Sequence, residues 1–195
     1  VPPSEARVLI PAGARVLVDR VRDEVLHTIR VDGSLDFDPL VNTGLVVDTM
    51  IITPSGALIM GTEDFPIDAG VTARIAIADR GPIDREWDPF AFSRGIVNHG
   101  RGSFYGTMKS SWHALEEIPM SGAETLTLEM APINWQIGDS IVIAGSRQNE
   151  SEERVIRNIQ GAVITIDPLE FDHDVPKEGL GIHVGNLSRN VMVFS

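Results

Sequence analysis

The chain has 195 residues, of which 43% are hydrophobic and 23% charged, an ordinary globular balance that can bury a core without cross-links. Its formal net charge of −12 repels DNA, RNA and anionic lipid, which argues against a nucleic-acid partner. There is no cysteine, hence no disulfide framework and no thiol chemistry, and no apolar run near the ~20 residues that a membrane span needs. The opening Val1-Pro-Pro-Ser-Glu5 lacks a basic start and an apolar stretch, so the segment shows no signal peptide and reads as mature or trimmed.

Short apolar runs rich in Val, Ile and Leu follow one another, each closed by a glycine-containing turn. Val8 to Gly13 and then Ala14 to Asp19 read as strand, turn, strand. Val25–Val31, Asp32-Gly33 and Ser34–Phe37 look like another pair, because Asp-Gly tolerates positive φ and marks tight turns. Leu45 to Ile52 closes on Thr53-Pro-Ser-Gly56 and leads into Ala57–Met60. Gly33 and Gly56 are accordingly expected at positive φ. The spacing suits stacked coils that return after about 20–25 residues.

Ala73 to Ala78 alternates like a half-exposed strand. Asp79 to Phe92 breaks the ladder with two prolines, several charges and the aromatics Trp87, Phe90 and Phe92, and reads as a long functional excursion. Gly122–Met130 alternates cleanly, Trp135–Asp139 forms a turn, and Ser140–Ala144 reads as a buried strand. Strands also fit 150–159 and 161–166. No segment keeps a 3.6-residue period over helical length. The fold class is all-β, a parallel β-helix-like stack with irregular loops; a β-sandwich is the alternative, because hairpin-type turns also fit.

Several phrases together carry a family resemblance. They are Ile10 to Asp19, Val31-Asp-Gly-Ser-Leu35, Gly56 to Pro66, Trp112, Asn134 to Ile143, Ile164 to Leu169 with His173, and Leu187-Ser-Arg-Asn-Val191. In order and spacing the chain resembles the G-eight domain family, named for eight glycines and found in hyaluronan-degrading cell-migration-inducing proteins and in fibrocystin. The resemblance implies one extracellular or cell-surface β domain over 1–195, forming the front part of a longer β-helix protein. It further implies a link to hyaluronan binding or depolymerisation. Two phrases depart from the family pattern: Tyr105-Gly106 stands where His-Gly is expected, and Trp112-His113 where Trp-Thr is expected.

The densest acid–histidine cluster is Asp172-His173-Asp174. Paired carboxylates can serve as acid and base on a glycosidic bond, and closely spaced hard oxygens can hold Ca²⁺. A solvated acidic loop is the plainer alternative. Arg189 can grip a sugar carboxylate bidentately, or simply satisfy turn carbonyls. Asp172, His173, Asp174 and Arg189 are thus the candidate catalytic set, expected to lie near one another. Trp87, Tyr105 and Trp112 can stack on sugar rings, with His99, Arg101 and Lys109 supplying local positive charge; these six are the candidate ligand-binding residues. No metal ligand is assigned, and Ca²⁺ is the one cofactor that these oxygen donors would suit. The functional reading is an extracellular glycan-recognition module, the front part of a polysaccharide-degrading protein where the resemblance extends that far, with polysaccharide as partner. The alternative is a structural or adhesive module that self-associates through sheet edges without catalysis.

Overall fold

The computed structural model describes residues 2–145, 147–175 and 177–195, and among these the secondary structure is all strand, with no helix. The chain divides into two compact units, residues 1–107 with 190–195, and residues 108–189.

The first unit is built from strand–corner–strand pieces. β1 (Arg7–Ile10) turns into β2 (Arg15–Val18), β3 (Val21–Val31) into β4 (Ser34–Phe37), and β5 (Thr43–Ile52) into β6 (Ala57–Met60). The two halves of each piece do not pair with each other. β1, β3 and β5 form one parallel ladder, and β2, β4 and β6 a second. Arg7 aligns with Thr28 and Thr28 with Thr49, so one turn of chain takes roughly 20 residues, the expected repeat. β7 (Ala73–Ile77) continues along the first half of β5, and β8 (Gly95–Asn98) along its second half; β9 (Arg101–Phe104) adds to β6. The excursion from Asp79 onward is therefore the connection between two strands laid end to end on β5. The last strand, β17 (Val191–Phe194), pairs in parallel with β7.

Ile29, Val31, Leu35, Val47, Met50, Ile52, Leu58, Met60 and Ile75 form the core of this unit. β5 lies inside the sheet and is buried along almost its whole length, so it reads as a continuous apolar run rather than an alternating one.

Two expectations are corrected here. Asp32-Gly33 is not a hairpin turn, because β3 and β4 belong to different sheets. Nor do Gly33 and Gly56 have positive φ; that conformation occurs at Gly13 and Gly61, among others. Glycine is required at Gly33 and Gly56 for space instead. A Cβ at Gly33 would fall within 3.0 Å of the Pro11 and Ala14 carbonyl oxygens, and one at Gly56 within 3.0 Å of the Val31 carbonyl oxygen. Gly100 stands in the same relation to Thr53 and Gly56. The corners stack backbone on backbone, and a side chain there would force the turns apart.

The second unit pairs its strands antiparallel. β10 (Trp112–Ala114), β16 (His183–Asn186), β12 (Ser140–Ile143) and β13 (Glu152–Val155) form a four-stranded sheet in that order. β11 (Thr125–Thr127), β15 (Val163–Thr165) and β14 (Asn158–Gln160) form a three-stranded one. The strand expected over Gly122–Met130 is confined to β11, extended by a single bridge between Leu115 and Leu128. Leu126, Leu128, Trp135, Ile141, Ile143, Ile156, Ile164 and Val184 make this unit's own core.

Candidate functional site

The acid–histidine cluster folds differently from a solvated loop. His173 is fully buried. Its Nδ1 lies 2.9 Å from the Ala144 carbonyl oxygen, which can only accept, and its Nε2 lies 3.0 Å from Glu152 Oε1. Glu152 starts β13 and points inward, where it accepts the backbone N–H groups of Glu170 and Phe171 at 2.8 Å each and pairs with Arg154. Burial pushes its carboxyl up, but the two backbone donors, His173 and Arg154 more than offset that and hold it below its ordinary 4.5. Asp172 faces outward and caps the Ser121 N–H at 2.9 Å, while Asp174 is exposed with Arg147 4.0 Å away. Arg189 donates to the carbonyls of Asn186 and Ser188 and reaches Ser111 Oγ. Among the described residues no hydrogen bond or ion pair joins Arg189 to Asp172, His173 or Asp174.

The six ligand-binding candidates fall in two groups. Trp87, His99, Arg101 and Tyr105 belong to the first unit, and Lys109 and Trp112 to the second. His99 and Arg101 flank the corner between β8 and β9. Arg101 lines an open groove with Arg15, Ser34, Ser55 and the stacked glycine corners. Tyr105 packs its backbone against Met60 and Ile67 and leaves its ring half exposed. Lys109 is committed internally, with Nζ 2.8 and 2.7 Å from the two oxygens of buried Asp139, which also accepts from Asn186 and the Gln136 N–H.

Trp112 remains available. Its side pairs with Gly185 on β16, and Gly185 pairs in turn with Val142 on β12. In a strand, alternate residues share a face. His113, Val184, Ile141 and Ile143 therefore point into the core, while Trp112, His183, Gly185 and Val142 lie on the opposite, open face. Trp112 is 61% exposed, and the His183 ring meets it edge-on with centroids 5.0 Å apart. Below the sheet, Trp135 donates its indole N–H to the Ser110 carbonyl at 2.7 Å and packs edge-on against His113, which anchors β10. The result is an aromatic shelf beside a side-chain-free step, spanning three strands or about 10 Å.

His183 and Gly185 are not among the ligand candidates that the sequence singles out; strand pairing sets Gly185 opposite Trp112 and His183 opposite Ala114, with its ring against the indole. Asn190 was likewise legible only as part of a family phrase. Its side chain accepts from the Thr107 N–H and donates to the Ile67 and Asp68 carbonyls, tying together loops more than 80 residues away in sequence. Among the described residues no three His, Asp or Glu side chains converge as metal ligands.

Two parallel ladders joined at glycine corners, and a unit of antiparallel sheets, make the described residues all-β. The chain belongs to the G8 domain family, whose model matches residues 1–116. It is 28% identical over 216 aligned positions to Fibrocystin-L of Mus musculus, covering 98% of the chain and 5% of that protein. To Fibrocystin-L of Homo sapiens it is 27% identical over 209 positions, with the same coverage of both. To Fibrocystin of Canis lupus familiaris it is also 27% identical over 209 positions, covering 86% of the chain and 5% of that protein. The chain thus spans about a twentieth of the length of these relatives.

Proposed function

We propose that this G8 domain is an extracellular glycan-recognition module that binds an extended saccharide across the Trp112 face of its four-stranded antiparallel sheet. The observation that carries the reading is an exposed indole, steadied edge-on by His183, beside Gly185. A pyranose presents a flat apolar C–H face that stacks on an indole, and the missing side chain at Gly185 leaves room for the ring to lie close to the sheet. His183 borders the shelf and can bond sugar hydroxyls, and Arg189, in the segment that follows β16, supplies the local positive charge that an acidic sugar requires against the net charge of −12.

Binding rather than cleavage is the favoured role. His173, the group best suited to move a proton, is buried with both ring nitrogens engaged, and Asp172 is occupied by a backbone N–H. A second reading, association through sheet edges, draws on the exposed Leu9, Val16 and Leu17 of β1 and β2. The test is a glycan array probed with the parent chain and with Trp112→Ala, with and without a Ca²⁺ chelator. We expect selective binding that falls at least about tenfold in Trp112→Ala, equivalent to roughly 1.4 kcal/mol, with an unchanged melting temperature. Absence of any glycan binding, with concentration-dependent oligomers instead, would favour the edge-association reading. A loss on chelation would assign Ca²⁺ a part.

A further inference from the structure

The excursion between β7 and β8 exposes three aromatic rings at once: Trp87 is 87% exposed, Phe90 75% and Phe92 64%. Isolated exposed aromatics need no explanation, but three on one loop do. The loop is held in shape by its own acids. Asp84 accepts the N–H groups of Glu86 and Trp87 at 2.9 and 3.3 Å. Asp88 accepts those of Phe92 and Ser93 at 3.0 and 2.8 Å, and the Ser93 hydroxyl at 2.6 Å. At its base, Arg80 and Arg94 bracket buried Asp48 on β5, and the Arg94 N–H donates to Thr49. Ala91 takes a left-handed φ of 55°, and the rings on either side of it, Phe90 and Phe92, stack with centroids 5.7 Å apart. The rings are thus presented ready-made, so that docking costs little ordering.

The charges left over select the partner. With Asp84 and Asp88 consumed by backbone donors, the side chains of Arg85 and Glu86 next to Trp87 make no hydrogen bond or ion pair among the described residues, though, besides the Ser93 donors, the Arg85 charge helps hold the Asp88 carboxyl below its ordinary value. One cation and one anion beside exposed aromatic faces match a zwitterionic headgroup. Arg85 meets the phosphate, while Glu86 and the Trp87 face meet a quaternary ammonium, a cation that aromatic rings attract. The rings themselves suit the depth of the headgroup boundary. The net charge of −12 works against an anionic leaflet.

We propose that the Trp87–Phe90–Phe92 loop is a docking site for a neutral, choline-headed bilayer surface, separate from the saccharide shelf. The test is flotation of the chain with phosphatidylcholine vesicles and with vesicles in which one third of the lipid is phosphatidylserine. Phosphatidylcholine vesicles should carry the parent, and the anionic vesicles should carry less of it. The combined Trp87→Ala, Phe90→Ala, Phe92→Ala variant should partition at least about tenfold more weakly while melting like the parent, since all three rings lie outside the core. Trp112→Ala should float as the parent does. Failure of the parent to float, equal flotation of the triple variant, or preference for the anionic vesicles would each overturn the proposal. So would capture of the parent by immobilised polylysine without binding to phosphatidylcholine, which would point to a basic protein partner instead.

Discussion

Glu152→Ala should destabilise the second unit by about 3–5 kcal/mol, the usual result of removing one partner from a buried charged network. The carboxylate joins His173, Arg154 and two backbone N–H groups at the meeting of β13 with the 170–173 segment. Without it, fully buried His173 loses its Nε2 partner and the Glu170 and Phe171 N–H groups lose their acceptor, while Arg154 keeps the Glu153 and Pro168 carbonyls. Glu152→Gln keeps the shape and some of the bonds, and should cost less, about 1–3 kcal/mol. The same site predicts a pH dependence. The folded carboxyl titrates below its ordinary 4.5, so the folded state binds fewer protons there than the unfolded chain. Its contribution is complete above that value and is lost as pH falls through the lower, folded-state value. Urea denaturation across pH 7 to 3 should show the parent losing more stability on acidification than Glu152→Gln. Identical acid profiles, or a Glu152→Ala variant that unfolds like the parent, would show that the network does not hold this unit together.

Gly56→Ala is expected to have the next largest effect. The added methyl would meet the Val31 carbonyl, which is fixed by its place in the stacked ladder, so the turns must separate; overpacking of this kind costs about 1–3 kcal/mol or more. Gly13→Ala is the informative contrast. Gly13 has φ +80° but open space around it, so its cost is the roughly 1–2 kcal/mol of placing an L-residue in the left-handed region. Asn or Asp tolerates that region better than most residues, so Gly13→Asn should recover part of the loss, while Gly56→Asn should be worse than Gly56→Ala. Thermal melts of the four variants separate the two reasons for glycine. Recovery at Gly56 with Asn would contradict the close-packed corner.

These two sites also show how far the sequence could be read. The strands were legible because their determinants are local: β-branched runs a few residues long, each ended by glycine, and no helical period. The corners were found at the right residues for the wrong reason. Asp32-Gly33 carries the same local signature whether the chain folds back on itself or turns into a second sheet, and only the parallel register of β3 with β5 and of β4 with β6 distinguishes them. His173 was misleading in a similar way. Its neighbours Asp172 and Asp174 suggest solvent, whereas its partner is Glu152, 21 residues away. Lys109 looked like free charge near aromatics until Asp139, 30 residues on, claimed it. Trp112 needed no distant partner to be noticed, yet its value as a shelf depends on Gly185 and His183, which only strand pairing places beside it.

The most direct test of saccharide binding at this shelf is a ¹H–¹⁵N NMR titration of the chain with the oligosaccharide that binds it best. The perturbed signals should be the Trp112 indole N–H and the backbone amides of His183, Gly185 and Val142, with Trp87, Arg101 and the Trp135 indole unmoved. Shifts confined to Trp87 or Arg101, or no shifts at saturating saccharide, would contradict the assignment of the Trp112 face as the recognition surface.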